Sequence, residues 1–209
     1  MIIPSPSKPS GLLYGPVGSN AVHLCIDMQR LFGPGTPWAV PWMAKVLPTI
    51  SRIVEGHAEQ TIFTRFVPMA NAEQAAGTWK RYYQRWESVT LDQLDSALID
   101  LVPELARYVP PARVVDKWVY SPWTEGKLDA MLRGTSVDTI LMSGGETDVC
   151  VLAAVLGAVD RGYRVIVISD GMCSSADESH DALLTLYSGR FGQQIEVAEA
   201  QDVLESWEA

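Results

Sequence analysis

Six short apolar runs recur along the chain, separated by longer stretches in which apolar positions return at helical spacing. The runs are 21–26 (AVHLCI), 60–65 (QTIFTR), 112–116 (ARVVD), 138–143 (DTILMS), 163–169 (YRVIVIS) and 194–198 (QIEVA). They are rich in Val and Ile and show no clean polar alternation, as expected of strands buried on both faces. Helical patterns lie near 41–56, 91–106, 124–133, 148–161, 176–189 and 200–207. Strands alternating with helices imply right-handed crossovers and parallel pairing. The pattern predicts one α/β domain over residues 21–209, a three-layer, doubly wound, mainly parallel six-stranded sheet with helices on both faces.

Two segments stand outside this rhythm. Residues 1–20 are rich in Pro, Ser and Gly and read as an N-terminal arm. The stretch 66–90 is polar and aromatic, and it is too long for a bare connection in a compact domain. Insertions of this sort often cover an active site. No internal repeat or low-complexity tract interrupts the chain.

Charge narrows the function classes. A formal net charge of -9 with no cluster of Lys or Arg argues against a nucleic-acid partner, which needs a basic face. No apolar run approaches the roughly 20 residues that span a bilayer. The first twenty residues lack the apolar core of a secretory signal. Three cysteines, Cys25, Cys150 and Cys173, are an odd number without CxxC spacing, a pattern of reduced thiols. A cytoplasmic protein without membrane contact is the expectation.

In a parallel sheet, ligands bind beyond the carboxyl ends of the strands. The first run ends in Asp27 and the third in Lys117; the fourth enters the turn GGETDV, which delivers Cys150 to the start of a helix. Each has an ordinary explanation by itself: a turn residue, a solvated side chain, a small buried hydrophobe. Together they bring an acid, an amine and a thiol to one sheet edge. A helix N-terminus and a nearby ammonium are expected to lower a thiol pKa from about 8.5 and favour the thiolate. A carboxylate can take the thiol proton and return it to a leaving nitrogen. Gly144 and Gly145 allow a sharp turn whose N–H groups face a developing oxyanion.

The segments CIDMQRLF, VVDKWVYSPW and MSGGETDVCVLAAVLGAVDRGYRVIVISDG resemble those of the isochorismatase-like cysteine hydrolases, and the resemblance runs from Ala21 to about Ala200. It implies an Asp27–Lys117–Cys150 triad and a non-proline cis peptide at Gly145–Glu146, with the N–H groups of Glu146 and Cys150 serving the oxyanion. It also implies a homodimer or homotetramer. Two departures matter. Nicotinamidases of this superfamily carry an Asp-x-His metal pattern after the second strand, where this chain reads TRFVPMAN. His23, His57 and His180 form no ligand cluster in the sequence, so no metal and no cofactor are expected. True isochorismatases lack the nucleophilic Cys. The resemblance therefore points to a metal-independent amidohydrolase that cleaves a small amide, carbamoyl or ureide C–N bond through a thioester on Cys150. In style it is similar to N-carbamoylsarcosine amidase or biuret hydrolase. A nicotinamidase-type amidase and a non-catalytic small-molecule binder are the alternatives.

Phe32, Tyr120 and Trp123 follow these positions closely and are candidate pocket walls, with ordinary packing as the other explanation. Arg65 at the end of the second strand is a candidate grip for a substrate carboxylate or carbonyl, or else a salt-bridge partner. Gln29 and Arg30 fit either a site or local packing. The GGET turn lacks the glycine spacing of a dinucleotide or P-loop site, and a redox role for Cys150 lacks a CxxC partner.

Overall fold

The computed structural model describes residues 11–208. Its six strands are β1 (Ala21–Ile26), β2 (Thr61–Phe66), β3 (Arg113–Lys117), β4 (Thr139–Gly145), β5 (Arg164–Cys173) and β6 (Ile195–Ala198). They form one sheet in the order β3-β2-β1-β4-β5-β6, and every pair is parallel. The doubly wound fold read from the apolar runs is the fold observed.

The helices are α1 (Met43–Gly56), α2 (Thr78–Arg85), α3 (Pro103–Ala106), α4 (Lys127–Leu132), α5 (Leu152–Asp160), α6 (Asp177–Gly189) and α7 (Ala200–Ser206). Successive residues of a strand point to opposite faces, and β1 shows it. Val22, Leu24 and Ile26 pack with residues of α4, α5 and α6. Ala21 and Cys25 point the other way, toward α1, α3 and α7. Both faces of the sheet are thus covered, which explains why its runs carry no polar alternation. The chain leaves β1 toward β2, then returns to β1's other side at β4. That reversal opens a crevice between the carboxyl ends of β1 and β4.

Three elements differ from the sequence pattern. The helix expected near 91–106 is a 3-10 turn, Ser96–Ile99, capped by Asp95, followed by the single turn of α3. Pro103 disfavours helical geometry at the residue before it, and Val102 is accordingly extended at ψ 143°. Strand β5 continues past Ser169 to Cys173 after a register shift against β4 between Met142 and Gly144. The 66–90 stretch contains α2, the helix that the apolar pattern did not reveal.

Residues 1–10 of the expected arm lie outside the described residues. Residues 11–14 lie beside β6, and Val17 meets the end of α7. The Gly11 N–H donates to the Val197 carbonyl at 2.9 Å, and the buried Glu196 carboxylate accepts the Leu13 N–H at 2.6 Å and Arg164 Nε at 2.7 Å. No helix among the described residues is long and apolar enough to cross a membrane.

Candidate active site

Asp27 directly follows β1 in the left-handed region, at φ 50°, which Asp tolerates better than most residues. Thr64 of β2 holds it there. The Thr64 hydroxyl donates to Asp27 Oδ1 at 2.5 Å and accepts the Asp27 N–H at 3.1 Å. Lys117, the last residue of β3, has a fully buried side chain. Its Nζ lies 2.7 Å from Asp27 Oδ2, 3.2 Å from the Val119 carbonyl and 3.3 Å from Cys150 Sγ. It also stands 5.0 Å from the centre of the Phe66 ring. Since β2 lies between β1 and β3, Thr64 and Phe66 bridge the interval between the carboxylate and the amine.

Cys150 reaches this pair from a π-helical turn, Thr147–Val151, that runs into α5. The Glu146 carbonyl accepts the N–H groups of Val149 and Val151, each at 3.1 Å. Two glycines make the approach possible. At Gly144, with φ 101°, a Cβ would sit 2.1 Å from the Ile26 carbonyl oxygen. At Gly145 it would sit 2.8 Å from Cys173 Sγ. The Gly145–Glu146 peptide is cis. The turn is tied to the loop after β5: Glu146 Oε1 accepts from the Ser175 N–H at 2.9 Å and from its hydroxyl, and Ser174 donates to Asp148 at 2.7 Å.

Electrostatics correct one expectation. Burial pushes the Cys150 thiol pKa far up, and the negative charge of Asp27 pushes it further; Lys117 opposes both without prevailing. These surroundings favour the neutral thiol over the thiolate. Burial works against the Lys117 charge too, but Asp27, with a contribution from Cys150, outweighs it and holds the ammonium above its ordinary pKa.

Above Cys150 opens a cleft of about 300 Å³. Phe32 and Tyr120 line it, where the sequence placed them, and so do Trp38, Phe66, Tyr82, Trp86, Glu146 and Ser175. Tyr82 and Trp86 come from α2 and its end, so the 66–90 insertion does cover the site. Its aromatic content was the available signal; Trp38 and Thr64 gave none.

Two candidates are elsewhere. Arg65 points to the opposite face of β2 from Thr64 and Phe66, where Asp116 binds it through two bonds of 2.7 and 2.9 Å and Asp100 through one of 3.3 Å. It forms salt bridges, the second of its two expected roles, and does not line the cleft above Cys150. Trp123 is buried in the core, donating Nε1 to the Ala154 carbonyl at 2.9 Å and stacking on Tyr163. Gln29 is fully buried and clamps the chain after β2, accepting the Phe66 N–H at 2.7 Å and donating to the Ile99 carbonyl at 2.8 Å.

Among the described residues, no group of three or more His, Cys, Asp and Glu could hold a metal ion. His23 bonds Ser143 and Thr61, His57 stacks on Trp207, and His180 bonds Thr147. Cys25 and Cys173 are buried free thiols.

The model of the isochorismatase domain matches residues 21–199. The chain belongs to the isochorismatase family. Among its relatives, the maleamate amidohydrolase of Pseudomonas putida is 26% identical over 194 residues, 90% of this chain and 87% of its own. Nicotinamidase 3 of Arabidopsis thaliana is 27% identical over 171 residues, 81% of each chain. A cysteine hydrolase from Pseudomonas syringae pv. phaseolicola superposes with a TM-score of 0.81 over 96% of this chain and 97% of its own. At 23% identity that likeness speaks for the fold alone.

Proposed function

We propose that the protein is a metal-independent cysteine amidohydrolase that cleaves a small amide through a thioester on Cys150. The observation that carries this reading is the position of Lys117 Nζ, 2.7 Å from the Asp27 carboxylate and 3.3 Å from the Cys150 sulfur, at the floor of a cleft that can hold a small molecule. Amide hydrolysis also accords with the amidohydrolase and nicotinamidase among the relatives.

In the proposed cycle, Cys150 passes its proton to Asp27 as the sulfur attacks the amide carbonyl. Proton transfer and attack are coupled because the buried thiol does not ionise on its own. Charge on the former carbonyl oxygen is received by the N–H groups of Glu146 and Cys150. Asp27 then gives the proton to the departing nitrogen as the C–N bond breaks, leaving a thioester and ammonia or an amine. Asp27 next takes a proton from water, the hydroxide adds to the thioester, and that proton returns to the Cys150 sulfur as the acid leaves. Lys117 stays protonated throughout and offsets the negative charge as it moves between carboxylate, sulfur and oxyanion. No step of this cycle is routed through a metal.

Ammonia release from a panel of small amides, carbamoyl amino acids, biuret, nicotinamide and maleamate tests the reading. Wild-type turnover should be unaffected by EDTA, and Cys150→Ala should lower it by at least about 1000-fold, since removing a covalent nucleophile abolishes the thioester route. Near-normal turnover by Cys150→Ala, or loss of turnover in EDTA, would overturn it.

A further inference from the structure

The cleft above Cys150 has an unusual wall for a site that handles polar amides. Trp38 is its hub: the ring centre lies 6.2 Å from Phe32, 5.9 Å from Tyr82 and 6.1 Å from Trp86. Aromatic rings have electron-rich faces, which attract cations, and no hydrogen-bond donor on the ring face to receive an anion. Glu146 is the one Asp, Glu, Lys, Arg or His among the lining residues. It forms no ion pair among the described residues. Burial above all raises the Tyr82 and Tyr120 phenols, with Glu146 adding a lesser push, which Lys117 opposes at Tyr120.

Cations of the protein itself do not balance this charge. Lys117 lies at the floor of the cleft, 3.3 Å from Cys150 Sγ, where Asp27 at 2.7 Å matches its charge. Arg65 is held by Asp116 on the opposite face of β2. Arg81 and Arg85 are exposed and line a neighbouring groove that shares Tyr82 and Tyr120 with the cleft, and the Arg85 guanidinium stands 5.7 Å from the centre of the Trp86 ring. A substrate carboxylate entering the cleft would meet ring faces and a carboxylate of like charge.

We propose that the cleft is a cation subsite: the amide taken by this protein carries a quaternary or tertiary ammonium, seated between Trp38, Tyr82, Trp86 and Glu146 while its carbonyl faces Cys150. This rests on the amidohydrolase reading of the same site. A methylated ammonium fits better than a primary one. The rings accept no strong hydrogen bonds, and Glu146 Oε1 already receives two from Ser175. A primary ammonium would bring three donors to a wall whose remaining acceptors are Glu146 Oε2 and phenol oxygens, whereas a methylated one has weakly held water to lose and methyl groups to bury.

Three amides of similar size separate charge from shape: trimethylammonioacetamide, its neutral isostere 3,3-dimethylbutanamide, and the anionic succinamate. The cationic amide should show kcat/KM at least tenfold above the neutral isostere, with succinamate the poorest. Glu146→Gln should reduce the cation-to-neutral ratio severalfold, an effect that general damage to the site would not produce. Equal or better turnover of the neutral isostere, or a ratio untouched by Glu146→Gln, would overturn the proposal. Tryptophan fluorescence titration of Cys150→Ala with the first two amides reads binding without chemistry. Preferential binding of the cation without any wild-type turnover would uphold the subsite and sink the hydrolase reading. No preference in binding would sink the subsite even if other amides are hydrolysed.

Discussion

At the scale of single residues, the site turns on how a carboxylate is held beside a buried ammonium. Thr64 is the positioning residue, because its hydroxyl donates to Asp27 Oδ1 at 2.5 Å while accepting the Asp27 N–H. Thr64→Val keeps the shape of the side chain and removes both bonds. Hydrogen bonds to charged groups contribute about 1.5–3 kcal/mol, so kcat should fall roughly 10- to 100-fold with KM little changed, and Thr64→Ser should restore most of it. Steady-state kinetics of the two variants on one hydrolysed amide check this; equal rates for Val and wild type would remove Thr64 from the machinery. Thr64 was illegible in the sequence because a Thr inside an apolar run reads as ordinary strand propensity. Asp27, Lys117 and Cys150 were legible as neighbours because each stands at or just past the end of a strand in one parallel sheet. Arg65 was not, since its fate depends on the register that sets it opposite Asp116 across β2 and β3. Trp123 sits beside Gly157, where a Cβ would come within 2.2 Å of its ring. That small neighbour, distant along the chain, is what makes room for it in the core.

At the scale of elements, the apolar runs located all six strands because burial on both faces leaves a continuous hydrophobic signature. Helix α2 escaped because it lies outside the sheet's two helical layers and carries mostly polar and aromatic residues (TWKRYYQR), so little aliphatic periodicity marks it. The pairing of β1 with β4 is where element geometry bears most directly on the site. Gly144 pairs with Ile26, and a side chain there would meet the Ile26 backbone at 2.1 to 2.9 Å. Backbone cannot yield as a flexible side chain does, so the two central strands would have to part just where Asp27 begins. Gly134, also at positive φ (76°) but with nothing within 4 Å of where a Cβ would stand, isolates the conformational component. Gly134→Ala should cost about 1 kcal/mol, and Gly144→Ala several times that, accompanied by loss of activity. Urea unfolding of both variants compares them directly. Similar midpoints would mean that the strand ends separate easily and that the close approach is not what demands glycine.

At the scale of the whole molecule, the same burial that hides the strands places a titratable group in the middle of the sheet. His23 of β1 is fully buried, bonded through Nε2 to Ser143 Oγ at 2.7 Å and through Nδ1 to Thr61 Oγ1 at 3.3 Å. Burial, aided by the nearby His57, lowers its pKa from 6.5 to about 3. In the unfolded chain the imidazole takes its proton near pH 6.5, while in the folded protein it stays neutral until about pH 3. Between those values the unfolded state binds more protons, so stability falls as pH falls, and the loss is complete only below the folded pKa. Each pH unit between the two values corresponds to roughly 1.4 kcal/mol, so this one group accounts for several kcal/mol of acid sensitivity. Carboxylates held in ion pairs act with the same sign at lower pH, so the diagnostic window is about pH 6.5 to 5, above the ordinary Asp and Glu values. There, wild-type Tm should decline steadily while that of His23→Gln, which keeps a hydrogen-bonding side chain but cannot titrate, declines clearly less, the remainder belonging to His57, whose pKa burial also lowers. Parallel curves would show that His23 takes up its proton in the folded state. If His23→Gln does not fold, the ring resonances of the wild-type protein give the same answer: the His23 signals should stay at their neutral positions from about pH 7 to about pH 4, and movement with a midpoint near the ordinary imidazole value would contradict the buried, neutral assignment.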